Sequence, residues 1–140
     1  MDQENSTESA KERILQAALA HVAFDGWSEA TLSAAIADSG VAPALGRALY
    51  PRGGVDLAIA YHRAGDIAMS EAMAAHNGGL RYRERVALAV RLRLEAADKE
   101  LVRRGSALFS LPQHGLEGGR LIWATADAIW TALGDSSTDV

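Results

Sequence analysis

Apolar residues recur every three or four positions along most of the chain, a spacing typical of amphipathic helices. The first such run is Ile14, Leu15, Ala18, Leu19 and Val22. Ser9 and Glu12 precede this run with the spacing of a helix-capping box, and Gly26 follows it. The pattern therefore predicts a disordered segment over 1–8 and a first helix from Ser9 to about Phe24.

Two shorter helices are predicted next. One runs from Thr31 to Asp38 and is closed by Gly40, and the other spans Pro43–Tyr50 ahead of Pro51. Three short helices with a glycine turn between the second and the third have the outline of a helix-turn-helix unit, which we place at 9–54.

The remaining residues, 55–140, are predicted to form a helical body that makes one compact unit with this head. Its helices are expected at Val55–His76, Tyr82–Ala97 and Asp98–Ser110, and a last one contains Leu121–Trp130. The sequence is rich in Ala and Leu, which favour helices, and poor in β-branched runs. The predicted fold class is therefore all-α.

The last helix carries two stripes at helical spacing. The first is apolar and is expected to be buried; it consists of Ile122, Ala126, Ile129 and Leu133. The second consists of Trp123, Asp127, Trp130 and Gly134. Two interpretations of the second stripe stay open: the indoles belong to the core, as large apolar side chains usually do, or they form a protein-binding face, where Trp is enriched.

Composition narrows the function classes. The chain has 140 residues, enough for one domain, with 49% hydrophobic residues, no cysteine and a formal net charge of -4. The lack of cysteine excludes disulfides, thiolate metal sites and a cysteine nucleophile. The acidic total argues weakly against nucleic acid as a partner. No apolar run is long enough for a membrane span, and the acidic N-terminus is unlike a targeting segment, so we expect a cytoplasmic protein.

Residues that could carry out chemistry are scattered. The four histidines are His21, His62, His76 and His114, and their spacing does not suggest a metal-ligand helix, so surface or core roles are expected. No phosphate-binding loop or nucleophile motif has the required context, so we predict no enzyme, metal or cofactor. Arg93 falls on an apolar helix face and should be paired, with Glu100 or Asp127 as candidate partners, or should contact a polar ligand group.

The head resembles the N-terminal domain of tetracycline-repressor-type regulators. The resemblance is carried by the stretches Glu12–Leu19, Gly26-Trp27 and Thr31–Val41. It implies a third helix that enters the DNA major groove, yet the stretch Val41–Tyr50 has Arg47 as its only charge, with Arg52 nearby. A DNA-binding regulator is therefore kept as the alternative function, and nucleic acid binding is not expected.

The chain as a whole resembles the family of lipid-binding accessory proteins of coenzyme Q (ubiquinone) biosynthesis, the ninth named protein of that pathway, which has a tetracycline-repressor-like fold. The resemblance begins at Ile14 and is most specific in four segments: Ala17–Leu19 with Gly26-Trp27-Ser28, Leu49–Leu57, Arg91–Leu94 and, above all, Asp127–Asp139.

This resemblance implies a non-catalytic protein that binds an isoprenoid lipid or quinone precursor and supports the di-iron hydroxylase that modifies the quinone ring. It places the hydroxylase on the Trp face, with the partner-binding residues Trp123, Asp127, Trp130, Asp135, Thr138 and Asp139. The apolar faces of the body either pack tightly against one another or enclose a lipid pocket. The residues expected to line that pocket are Ile67, Met73, Leu88, Leu92, Leu108, Ile122 and Ile129.

Two further expectations follow from the family. The fold often pairs through its last helices, so a homodimer is expected. Family members continue past the Asp-Ser-Thr-Asp turn into an amphipathic helix that contacts the bilayer, whereas the printed sequence ends at Val140. Peripheral contact with a bacterial inner membrane is therefore expected only where such a helix is present.

Overall fold

The structure is a computed structural model that describes residues 2–76 and 79–134, with side chains from Asn5 onward. In this part of the chain the protein is all-α and contains no strand. The helices are α1 (Asp2–Asp25), α2 (Glu29–Ser39), α3 (Pro43–Leu49), α4 (Gly54–Ala75), α5 (Tyr82–Glu95), α6 (Lys99–Phe109) and α7 (Gly115–Ala132), and a 3₁₀ turn at Pro112–His114 precedes α7.

The predicted helices are all present, with one correction at the N-terminus. The segment expected to be disordered is helical from Asp2 onward, so α1 begins seven residues before the Ser9 capping pattern. A capping box is a local pattern that can also occur inside a helix, and extending an existing helix costs far less than starting one. The end of α1 is as predicted, with Gly26 at a φ of 66° and its N–H bonded to the Val22 carbonyl.

Contacts group the chain into two compact units. Among the described residues, the first comprises 2–61 and 99–108, and the second comprises 62–76, 79–98 and 109–134. Helix α4 begins at Gly54, where the head was predicted to end, and α6 belongs to the first unit.

The first unit is built on α1, α2 and α3, which pack against one another. The Ser28 hydroxyl caps α2 by accepting the Thr31 amide proton, and Gly40 ends α2 in the left-handed region. The reason that α6 joins this unit is visible in two hydrogen bonds: the Trp27 indole N–H donates to the Leu101 carbonyl at 3.2 Å, and Arg104 donates to the Ala23 carbonyl at 2.8 Å.

The second unit has its own apolar core, formed by α4, α5 and the C-terminal end of α7. Met69, Met73, Ala89 and Leu133 are buried at its centre. Partly buried side chains surround them: Val86, Leu88, Leu92, Ala128, Ile129 and Ala132. Within residues 2–76 and 79–134, every helix is too short or too polar to span a bilayer.

Candidate docking surface on the last helix

The outer face of α7 carries the largest exposed apolar side chains of the second unit. Trp123 is 78% exposed, Leu116 is 72% exposed and Trp130 is 43% exposed. These residues are seven apart, so at 3.6 residues per turn they project within about 40° of one another. We call the line formed by Leu116, Trp123 and Trp130 the outer ridge. The interpretation that both indoles are core residues is therefore wrong.

The apolar stripe predicted to be buried is also corrected. Ile122 and Ala126 are exposed, Ile129 is half-buried and only Leu133 is fully buried. The buried or half-buried face is instead centred on Leu121, Thr125, Ala128 and Ala132. A rotation of about 100°, the angle between neighbouring residues of an α-helix, separates the two faces. The faces differ because Thr125, which a hydrophobicity pattern places on the exposed face, points inward and contacts polar partners.

Those polar partners form a network that holds the inner face of α7. The Thr125 hydroxyl donates to Oδ1 of Asp66 at 2.7 Å, and Nε2 of His62 lies 2.6 Å from the same hydroxyl oxygen. Because the single hydroxyl proton of Thr125 is used toward Asp66, the proton shared with His62 must come from Nε2. Two residues of α4 are thereby tied to one residue of α7.

Arg93 on α5 completes the network. Its Nε donates to Oδ1 of Asp66 at 2.7 Å, and its Nη2 donates to the His62 carbonyl at 3.0 Å. Both charged side chains are 11% exposed. The prediction that Arg93 forms a structural ion pair is confirmed, but neither Glu100 nor Asp127 is the partner. Asp66 is the partner because the two hydrogen bonds of Arg93 place this side of α5 against α4.

Gly65 makes room for the guanidinium. A Cβ at this position would lie 2.5 Å from Nη1 and 2.7 Å from Cζ of Arg93. Such distances are shorter than van der Waals contact, so any side chain at residue 65 requires the Arg93 guanidinium to shift. The sequence Gly65-Asp66 thus supplies both the space and the charge for Arg93.

This environment disfavours the protonated form of the His62 ring. Burial lowers its pKa below the ordinary value, the positive charge of Arg93 lowers it further, and Asp66 and the Leu121 backbone partly oppose the change. The spacing His62-x-x-x-Asp66 places both side chains on one helix face, so the sequence contained a signal for this pair that the search for metal ligands passed over.

A further contact fixes the C-terminal end of α7. Nη2 of Arg85 donates to the Leu133 carbonyl at 2.7 Å, satisfying one of the carbonyls that a helix end leaves free. Together with the polar network and the apolar core, this bond fixes the rotation of α7 about its own axis. The outer ridge faces away from the second unit for that reason.

The residues predicted to line a lipid pocket do not share one environment. Met73, Leu88, Leu92 and Ile129 contribute to the packed core of the second unit. Ile67 and Ile122 are exposed on α4 and α7, and Leu108 belongs to the first unit. One groove, of about 450 Å³, is formed by α1 and α2 and holds none of these residues; its lining is Ser9, Glu12, Arg13, Gln16, Ala17, Asp38 and Ser39.

Of the residues predicted to bind a partner protein, the structure brings three together. Trp123, Asp127 and Trp130 share the exposed face of α7. Asp135, Thr138 and Asp139 lie outside the described residues. Leu116 and Arg120 also belong to this face, although the sequence analysis did not identify them. They lie seven and three residues before Trp123, and this helical spacing could have predicted that they share its face.

The third helix of the head, α3, presents a different surface. Arg47 forms an ion pair with Glu29 and donates to the Ser33 hydroxyl at 2.6 Å. Arg52, next along the chain, forms an ion pair with Asp56 at 2.9 Å. Both guanidinium groups are thus paired with a carboxylate of their own chain.

Comparison of this chain with known proteins identifies no related protein. Neither the family models nor the curated proteins searched match this chain. The resemblance described above therefore depends on the residues quoted for it. Among the described residues there is no group of three or more His, Asp or Glu side chains arranged to hold a metal ion.

Proposed function

We propose that this protein is a non-catalytic, tetracycline-repressor-like accessory protein that docks a partner protein through the outer ridge of α7. The observation that carries the proposal is the 78% exposure of Trp123 together with Leu116 and Trp130 on one face. Large aromatic side chains of this kind dominate the binding energy of protein interfaces. Exposing them to water is unfavourable, and a partner that covers them recovers that free energy.

The partner we propose is the di-iron hydroxylase that modifies the quinone ring in coenzyme Q biosynthesis, and the ligand is an isoprenoid quinone precursor. Both come from the resemblance of Asp127–Asp139 and the other quoted segments to the accessory-protein family. The acidic Asp127 beside the two indoles favours a partner surface that combines apolar residues with a cation. A cytoplasmic location, with peripheral contact at a bacterial inner membrane, belongs to the same proposal.

The experiment that tests docking is isothermal titration of the hydroxylase into the wild-type protein and into Trp130→Ala and Trp123→Ala. We expect both variants to retain the helical circular dichroism spectrum and to weaken association at least about tenfold, the size typical of an aromatic hot spot. Ile67→Ala is the matched control, because Ile67 is an exposed apolar residue of the same unit that is not on α7. Equal affinity for all four proteins contradicts the proposal.

Lipid binding is tested separately by mass spectrometry of the organic extract of the purified protein. A polyisoprenoid in stoichiometric amount is the expected result, and an extract free of isoprenoids contradicts that half of the proposal. The alternative, a DNA-binding regulator, predicts duplex binding that weakens steeply with salt. The paired state of Arg47 and Arg52 makes that alternative the less favoured one.

A further inference from the structure

Helix α7 carries two faces that suit burial, and the second follows the first by one residue throughout. Each position of the apolar stripe comes directly after a position of the inner face, in the pairs Leu121/Ile122, Thr125/Ala126, Ala128/Ile129 and Ala132/Leu133. A turn of about 100°, with a shift of about 1.5 Å along the axis, therefore moves every residue of the stripe into the place of its inner neighbour. Ile122, which is 69% exposed, then leaves water. Ile129 and Leu133 already contact the core of the second unit, so the shift moves them within it.

Both ends of α7 are compatible with this one-residue shift. A Cβ at Gly118 would lie 2.9 Å from Cβ of Phe109, so the observed position allows only glycine there. A Cβ at Gly119 would meet none of the described atoms within 4 Å, so the observed position does not require this second glycine, which weakens the helix. The shift places Gly119 against Phe109, where glycine is required. At the other end, the Gly134 carbonyl takes the place of the one that now accepts from Arg85.

The shift also changes the surface that α7 presents to water. Measured from the centre of the inner face, the outer ridge projects at about 150–170° before the shift and at about 70–110° after it. These angles place the two indoles at the edge of the packed face after the shift. The residues that then point outward, at about 130–170°, are already exposed and are polar or small: Arg120, Ala124, Asp127 and Thr131.

The polar network opposes the shift. In the observed position the Thr125 hydroxyl donates to Asp66 and accepts from His62, whereas after the shift Ala126, which has no hydroxyl, takes its place. The ion pair of Asp66 with Arg93 joins α4 to α5 and does not involve α7, so it remains in both positions. Burial of the apolar stripe thus favours the shifted position, and one hydroxyl favours the observed one.

We propose that α7 has two positions, the observed one and one shifted by a single residue, and that only the observed position presents the outer ridge to a partner. The Thr125 hydroxyl makes the observed position the more populated one in the free chain, and a partner that binds the ridge selects it further. The shifted position is a closed form, in which the chain itself partly covers the indoles. This regulation of docking rests on the proposed function, whereas the shift itself requires neither the hydroxylase nor lipid.

Two reporter cysteines distinguish the positions. Residue 126 is exposed in the observed position and takes the half-buried place of Thr125 after the shift, whereas residue 128 turns from the inner face toward water. The rate of thiol labelling is measured in Ala126→Cys and Ala128→Cys, each with and without Thr125→Val, which keeps the side-chain shape without the hydroxyl. We expect Thr125→Val to slow labelling at 126 and to speed labelling at 128, each at least about threefold. Loosening of the fold does not slow labelling at 126, so that result is specific to the shift.

Gly119→Ala is an independent test that leaves the polar network intact. Its methyl group meets Phe109 only in the shifted position, so it should slow labelling at residue 128 at least about threefold and reverse the effects of Thr125→Val. Gly115→Ala is the matched control, because a Cβ there also meets no atom within 4 Å in the part of the chain that the structure describes. Its place after the shift is that of His114, which already carries a side chain, so the labelling rates should not change.

Circular dichroism verifies that each variant is folded, and the glycine pair decides the outcome if Thr125→Val unfolds. The proposal is overturned if folded Thr125→Val labels at residue 126 as fast as the parent protein, or if Gly119→Ala acts no differently from Gly115→Ala. Thr125→Val should also bind the hydroxylase at least about threefold more weakly, since part of the chain is closed. Equal affinity overturns the regulation. A hydroxylase that binds neither protein contradicts the proposed function instead, because the labelling rates are measured without it.

Discussion

The two faces of α7 differ in role: the inner face stabilises the fold, and the outer face is exposed and available for recognition. The inner face places Thr125 against His62 and Asp66, and among the described residues no fully buried side-chain nitrogen or oxygen lacks a hydrogen-bond partner. The outer face places Trp123 in water, 78% exposed. A substitution on the inner face should therefore change stability, and one on the outer face should change association. The spacing of the large apolar residues therefore predicted the wrong buried face of α7. The buried face is the one that carries Thr125.

The largest expected effect is on stability and comes from Asp66→Ala. The variant leaves the Arg93 guanidinium, 11% exposed, without its carboxylate, and removing one member of a buried pair costs about 3–5 kcal/mol. Asp127→Ala makes the same change on the outer face and should alter the free energy of unfolding by less than about 0.5 kcal/mol. Urea denaturation followed by circular dichroism measures both. Similar decreases in the free energy of unfolding for the two variants would contradict the claim that only the inner face contributes to stability.

Two glycine substitutions should change stability in opposite directions. Gly65→Ala requires the buried Arg93 guanidinium to shift beside Asp66 and is expected to cost about 1–3 kcal/mol. Gly119→Ala adds a methyl group where no atom lies within 4 Å, and a better helix former should gain about 0.5–1 kcal/mol. Thermal denaturation at dilute protein concentration compares them with the wild type. The account fails if Gly65→Ala is tolerated as well as Gly119→Ala.

A pH dependence follows from His62. Because its pKa is lowered in the folded protein, the unfolded chain binds more protons near pH 6.5, about the ordinary pKa of histidine. Stability contributed by neutral His62 is thus present above that pH and is lost as the pH falls through it. His62→Gln keeps a hydrogen-bond donor to Thr125 without titrating, so the denaturation midpoint should fall less on acidification. Identical pH profiles for the two proteins would contradict the assignment.

The smallest expected effect is the change in stability caused by Trp123→Ala. Truncation of a side chain that is mostly in water should alter the free energy of unfolding by less than about 0.5 kcal/mol. Leu121→Ala, two residues earlier and buried, should cost about 2–5 kcal/mol under the same conditions. Urea denaturation of dilute samples provides the comparison. If Trp123→Ala lowers the free energy of unfolding as much as Leu121→Ala does, the Trp123 indole is buried and the outer face is wrongly assigned.

The helices could be predicted from sequence because their ends depend on local chemistry. Gly26 and Gly40 adopt positive φ at the ends of α1 and α2, and Ser28 caps α2 through its own hydroxyl. These effects act within a few residues of the chain. The start of α1 was missed because the Ser9 pattern is equally compatible with the middle of a helix.

The site was less predictable, because burial is decided by partners far away in the sequence. Arg93 was expected to need a carboxylate, yet the choice of Asp66 depends on how α4 packs against α5. The rotation of α7 depends on a network with members 27 to 63 residues apart. Hydrophobicity alone favours burying an indole over a threonine hydroxyl. A prediction based on it selects the wrong face of the helix when a buried carboxylate accepts a hydrogen bond from that hydroxyl.

The most direct test of the central claim, that the outer face of α7 is a recognition surface, uses the fact that the sequence has no cysteine. In Ala126→Cys the only thiol lies beside the outer ridge, and in Ala128→Cys it lies on the half-buried inner face. The rate of thiol labelling is measured on the dilute chain with and without saturating hydroxylase. The account predicts fast labelling at residue 126 that the hydroxylase suppresses, and slow labelling at residue 128 in both cases. Labelling at residue 126 that is slow in the free chain, or that the hydroxylase leaves unchanged, would contradict it.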